Sequence, residues 1–92
     1  MNGTYMLYGG SLGDIKNPTN EDASILMDVH GKVAENMFKN MGKDVRNVCA
    51  SELGERLRTK ENLECRKSKK GGYICSFGFD LKTGKSIGGI IC

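Results

Sequence analysis

The side chains available for chemistry are four cysteines, one histidine and eleven carboxylates. Cys49, Cys65, Cys75 and Cys92 follow the spacing C-x15-C-x9-C-x16-C, with no C-x-x-C pair and no histidine doublet nearby. That spacing argues against a zinc site and against a thioredoxin-like redox centre. A cysteine nucleophile needs a free thiolate beside a base, and the single histidine, His30, stands far from every cysteine in sequence. Beside Gly31, His30 reads as a turn or surface residue. No acid stands out as one of a glycosidase-type carboxylate pair. Gly9-Gly10-Ser11-Leu12-Gly13 is glycine-rich but lacks the lysine and the following helix of a phosphate loop, so it reads as a flexible segment. The sequence therefore assigns no catalytic residue, no metal ligand and no cofactor, and the expected class is non-enzymatic.

The cysteines read instead as staples. Ninety-two residues make one domain with a modest core, and chains of this size commonly need cross-links. Paired cysteines imply an oxidising compartment, so the expected location is periplasmic or extracellular. No apolar run approaches membrane-spanning length. Met1 stands directly before polar Asn2-Gly3-Thr4, which reads as a mature chain behind an added start methionine. Asn2-Gly3-Thr4 also matches a glycosylation sequon, read here as a chance match.

The elements that must position the cysteines are clearest at the end of the chain. From Tyr73 to Leu81, Tyr73, Cys75, Phe77, Phe79 and Leu81 alternate with Ile74, Ser76, Gly78 and Asp80. That period of two predicts a strand with one buried face. Placing Cys65 opposite Cys75 sets Leu63 against Phe77 and Lys67 against Tyr73, with Ser68–Gly72 as the loop. Directly opposed strand residues lie within disulfide reach. Lys82-Thr83-Gly84 suits a turn with Gly84 left-handed. Closing it at Leu81–Lys85 sets Phe79 opposite Ile87 and turns Cys92 to the other face from Cys75. The preferred pairing, of three available, is therefore Cys65–Cys75 with Cys49–Cys92. These loops contribute about 3 and about 4 kcal/mol on a chain-entropy estimate.

Upstream, Leu57 and Thr59 alternate with Arg56 and Arg58, and Lys60–Asn62 turns back to Leu63. The sheet order 55–59, 63–67, 73–81, 85–92 is a meander. Residues 23–41 read either as one helix or as a strand, a break at Gly31 and a helix over Lys32–Met41. The second is preferred, because glycine within a helix costs about 1 kcal/mol. Val33, Ala34, Met37, Phe38 and Met41 then line one stripe, and Gly42 caps the helix. Val45, Val48 and Cys49 suggest one further helical turn. Residues 1–22 read as a flexible N-terminal segment with a brief edge strand at Tyr5–Tyr8 that Gly9 and Gly10 end. The expected fold is α+β, one main helix on an antiparallel β-meander stabilised by two disulfides, with residues 23–92 as the single domain.

The charge balance supplies the functional lead. Residues 1–54 carry five Lys/Arg against seven Asp/Glu, a balance of −2, whereas residues 55–92 carry nine against four, a balance of +5. In the expected register Arg56, Arg58 and Arg66 share the face opposite the aromatic stripe. Lys67, Lys69 and Lys70 gather at the first loop with Tyr73 nearby, and Lys82 and Lys85 flank the second turn. Such a field suits an acidic protein patch or another anionic surface. Nucleic acid or an anionic polymer is the alternative, weakened because the aromatics fall on the core side rather than among the basic residues. The bland alternative is that these charges only solvate the sheet and blunt its edges.

A helix opening at Gly31-Lys32-Val33-Ala34, followed by cysteine-clamped hairpins over residues 24–92, resembles small bacterial periplasmic proteins in architecture. Those include inhibitors and immunity proteins that work by binding. The resemblance implies a binding role and transfers no site residue.

Overall fold

The computed structural model describes residues 2–45 and 54–88. Strands β1 (Asn2–Ser11), β2 (Asp14–Lys16) and β3 (Ser24–His30) lead into helix α1 (Gly31–Lys39). Strands β4 (Arg56–Lys60), β5 (Leu63–Lys67), β6 (Tyr73–Asp80) and β7 (Ser86–Ile87) follow. All pairings are antiparallel, in the order β2-β1-β3-β6-β5-β4, with β7 pairing β6 beyond that path. One helix on an antiparallel sheet is the α+β architecture expected.

Alternation builds β3 and β6. Directly opposed residues of an antiparallel pair point to one face, so the register Met27↔Phe77, Val29↔Cys75 and Cys65↔Cys75 gathers these side chains on one side. Gly31, at φ +72, turns the chain from β3 into α1. That conformation favours glycine, and the strand–break–helix reading of residues 23–41 holds, with the helix at Gly31–Lys39 rather than the expected Lys32–Met41. Ala34 and Phe38 are fully buried against Val29, Cys65 and Cys75, with Val33, Met37, Leu63, Tyr73 and Phe77 packed around them. After Lys39 the ladder tightens, Asn40 donating to Met37 and Met41 to Phe38, and Gly42 at φ +91 turns the chain away.

Cys65 and Cys75 are bonded directly across β5 and β6 beneath α1. One of the two expected disulfides is therefore present among the described residues. The expected Cys49–Cys92 bridge, like the helical turn at Val48 and Cys49, lies outside them.

Three expectations are corrected. The meander is broken because β3, not the last hairpin strand, flanks β6 along its length. Strand β7 is only two residues long and reaches β6 at Gly78 and Phe79. Its turn closes at Asp80 rather than Leu81: Asp80 donates to Lys85, Gly84 donates to Asp80, and the Asp80 carboxylate accepts from the Lys82 N–H. Phe79 consequently opposes Ser86, one place off the expected Ile87. Third, the strand expected to end at Tyr8 runs from Asn2 to Ser11. It pairs with β3 over residues 2–8, across the expected boundary at residue 22.

Candidate binding surface

Geometry divides the seven candidate residues among three settings. The β4–β5 hairpin turns in two residues, Glu61 and Asn62, with Glu61 at φ +52 and Lys60 opposite Leu63. A three-residue turn would have set Leu57 against Cys65; instead Arg58 opposes Cys65 and Arg56 opposes Lys67. A slip of one residue exchanges the faces of a strand. Arg56 and Arg58 therefore lie on the helix-bearing face with Tyr73, and Arg66 lies on the reverse face with Leu57 and Ile74. The expected face carrying all three arginines does not exist.

Both helix-side arginines are engaged within the fold. The Arg58 guanidinium stacks 4.2 Å from the Phe38 ring centre, and Arg56 lies 5.5 Å from the same ring. Such cation–π contacts strengthen as they are desolvated. Arg58 Nη1 donates to the Phe38 carbonyl at 2.8 Å, satisfying an acceptor near the helix end. Asp44 accepts from Arg56 Nε at 2.7 Å, from Arg56 Nη2 at 3.2 Å and from Arg58 Nε at 2.9 Å. The Arg56 hydrogen bonds, then that from Arg58, lower the Asp44 carboxyl to about 2. Asp44 went unread in the sequence, because nothing in Lys43-Asp44-Val45 signals where the register will bring two arginines.

Arg66 points the other way. Its Nε is buried with no hydrogen-bond partner among the described residues. Its strand neighbour Glu64 has a carboxyl raised by burial, an effect that the Arg66 charge partly opposes. Glu64 stands opposite Ser76, and Ser76 stands opposite Asp28, to whose carboxylate its hydroxyl donates.

The first loop stays as expected. Ser68–Gly72 is closed by Ser68 N–H donating to Gly72 O at 2.7 Å and Gly71 N–H donating to Ser68 O at 2.9 Å. The Ser68 hydroxyl accepts from Gly72 N–H at 2.9 Å, and Gly71 takes φ +100. These bonds fix the path of an exposed basic loop. Lys67 Nζ lies 5.6 Å from the Tyr73 ring centre, and Tyr73 meets Phe38 edge-on at 5.5 Å. Lys69 and Lys70 are exposed and form no ion pair among the described residues. Beside the loop lies an open depression of about 550 Å³, lined by His30, Gly31, Lys32, Glu35, Gly71, Gly72 and Tyr73. Lys32 and Lys39 flank Glu35 at 3.6 and 2.9 Å. The Lys39 hydrogen bond, then the Lys32 charge, hold that carboxyl below its ordinary range. The first turn of α1 contains no acid and no side-chain cap, so its free N–H groups add to the positive field.

Lys82, at the second turn, is paired with Glu21 at 2.7 Å. No cluster of three or more metal-ligating side chains occurs among the described residues, and none of their helices is long and apolar enough to cross a membrane. No family model matches the chain, and neither a curated protein nor a solved structure matches it.

Proposed function

We propose that this is a non-enzymatic binding domain of an oxidising compartment, periplasmic or extracellular, that engages an acidic surface on another protein. The contact region is the Ser68–Gly72 loop with Lys67, Lys69, Lys70 and Tyr73, joined by Lys32 across the depression. An inhibitor or immunity-type role fits this reading. One observation carries it: the loop is hydrogen-bonded into shape, yet Lys69 and Lys70 are exposed without an ion pair among the described residues. Arg56 and Arg58, which the sequence nominated alongside them, are committed to Asp44 and Phe38 and hold the loop's neighbourhood in place. Exposed charge steers and selects partners more than it supplies affinity, so Tyr73 and the loop backbone provide the packed part of the contact.

Replacing Lys67, Lys69 and Lys70 together with glutamate tests the reading. The immobilised domain and this variant are compared for capture from the envelope fraction of the source cells, with thermal melts run in parallel. The expected result is a specific protein retained by the original domain, lost by the variant, at an unchanged melting temperature. Equal retention by both removes the loop from the contact. Titration with heparin and single-stranded DNA addresses the polymer alternative, which demands affinity that falls steeply with salt.

A further inference from the structure

At the end of β5 and β6 away from the Ser68–Gly72 loop, the register builds a second hollow. The period of two that sets Cys65 and Cys75 beneath α1 sets Leu63, Phe77 and Phe79 on the same face of the sheet. Directly opposed residues share a face, so Lys60, opposite Leu63, and Ser86, opposite Phe79, join them there. Met37, from the last turn of α1, completes an open cleft of about 320 Å³. Its floor is apolar: Met37, Leu63 and the rings of Phe77 and Phe79, which meet edge-on at 6.2 Å. Its rim is polar and comprises Lys60, Glu61, Asn62 and Ser86. The rim is held in shape, because the Asn62 amide donates to the Ser86 carbonyl at 3.0 Å and to the Ser86 hydroxyl at 3.3 Å. Those bonds tie the β4–β5 turn to β7. Lys60 and Glu61 form no ion pair among the described residues, either with each other or with another group. By contrast Arg56, Arg58, Lys32 and Lys39 each have a carboxylate partner.

We propose that this cleft binds a free apolar α-amino acid of the size of leucine or phenylalanine. The ligand's side chain lies on the Leu63, Phe77 and Phe79 floor, its carboxylate toward Lys60 and its ammonium toward Glu61. Size and charge select this occupant. The volume lies at the small end of the range of roughly 300–1,000 Å³ for ligand sites, which suits a single amino acid better than a nucleotide or a longer peptide. A simple anion would pair with Lys60 but meet the Glu61 carboxylate, and a simple cation would meet the reverse conflict. A neutral apolar molecule would leave both rim charges unused. A zwitterion on an apolar body answers the two charges and the floor together. Both rim residues are exposed, so solvent screens each pairing and binding is weak, with a dissociation constant of about 0.1–1 mM. The cleft is separate from the Ser68–Gly72 loop, so its occupancy does not depend on the protein contact proposed above.

Titration of the full chain with L-phenylalanine, followed through its backbone amides by NMR, reads binding and location together. The expected result is saturable shifts at Leu63, Phe77, Phe79 and Ser86, with Lys69 and Gly71 unmoved. Removing a part of the ligand should remove its part of the affinity. Phenylpropionate, which lacks the ammonium, and phenethylamine, which lacks the carboxylate, should each bind about three- to fivefold more weakly. L-Alanine, which lacks the ring, should bind at least about tenfold more weakly. The rim variants should cross over. Lys60→Gln should weaken phenylalanine and phenylpropionate but not phenethylamine, and Glu61→Gln should weaken phenylalanine and phenethylamine but not phenylpropionate. The ligand series on the unaltered chain keeps the test decisive if either variant folds poorly. The triple glutamate variant at Lys67, Lys69 and Lys70 should bind phenylalanine as the original chain does, so failure of the loop reading and failure of this one are told apart. Three results overturn the proposal. One is no saturable shift up to about 10 mM, which would leave the cleft to a bulkier occupant such as a partner's side chain. Another is saturation with shifts centred elsewhere. The third is phenylpropionate binding as tightly as phenylalanine, which would make the cleft a simple anion site.

Discussion

The helix-bearing face of the sheet has two halves made from similar side chains and treated differently. Around Cys65–Cys75, the aromatic Phe38 is buried beneath two arginine side chains, and Val29 and Ala34 are closed off from solvent. Toward β1, Tyr5, Leu7 and Phe79 stand exposed. The difference follows from the length of α1. Nine residues make a helix of about 14 Å, and α1 packs chiefly on β3, β5 and β6. It cannot also reach over β1. Where the helix ends, the arginines of β4 extend the cover by placing their guanidinium groups over Phe38; β1 has no long charged side chain with which to do the same. A strand's composition thus decides how far the cover over the sheet extends toward its edge.

The largest test of this division compares one residue from each half. Phe38→Ala should cost about 3–5 kcal/mol, since it empties a site enclosed by α1, Tyr73 and two guanidinium groups. Leu7→Ser, on the exposed half, should change stability by no more than about 0.5 kcal/mol. Urea denaturation measures both. Comparable losses would mean that the β1 half is packed as tightly as the other. Next in size is the cystine. Converting Cys65 and Cys75 together to alanine should cost about 3 kcal/mol through the freed loop, with the cores of β5 and β6 losing hydrogen-exchange protection before β1 does. A loss confined to β1 would show that the cystine does not anchor the covered half.

Arg58 comes third. Its side chain is only 15% exposed and serves Phe38 twice, through the ring and through the carbonyl. Arg58→Ala should cost about 1–2 kcal/mol. Arg58→Lys should recover part of that, because lysine keeps the charge but lacks the planar fork. If alanine and lysine behave alike, the stem and the charge contribute nothing and the planar guanidinium carries the whole effect.

What the sequence disclosed, and where it stopped, follows the range of the interactions. The alternation from Tyr73, the break at Gly31 and the opposition of Cys65 and Cys75 depend on neighbours within a dozen residues, and all were legible. The two-residue turn at Glu61-Asn62 was not, because it requires a non-glycine residue at positive φ and a lysine-to-leucine closure that no local preference announces. That single residue moved Arg56 and Arg58 from the expected reverse face to the helix side. The pairing of β3 with β6 and of β1 with β3 joins segments far apart in sequence. Strand β1 in particular, with its glycines and lack of charge, resembles a loose end until β3 is placed beside it. The Ser68–Gly72 loop was legible as a loop. That Lys69 and Lys70 form no ion pair among the described residues, whereas Arg56, Arg58 and Lys82 do, emerged only from the structure.

The smallest effect expected is a pair of opposite pH responses. Asp44, on the helix side, is lowered from 3.8 to about 2 by Arg56 first and then Arg58. A carboxyl depressed by folding stabilises the native state above its unfolded value, and that contribution is lost as pH falls through about 2. Glu64, on the reverse face, is raised above 4.5 by burial, with Arg66 opposing. Its sign is reversed: the protonated form is the one the fold prefers, so stability is fullest below 4.5 and declines as pH rises through the raised value. Both groups are partly exposed, so solvent screens them and each slope is shallow. Glu64→Gln should therefore raise the melting temperature slightly at neutral pH and flatten the curve above 4.5, leaving the acid limb intact. Asp44→Asn should lower it at neutral pH and flatten only the acid limb. Melting curves from about pH 2 to about pH 7 distinguish the two. If Glu64→Gln instead lowers stability at neutral pH, the Glu64 carboxylate serves Arg66 more than burial harms it, and the reverse face is held by that ion pair as the helix side is held by Asp44.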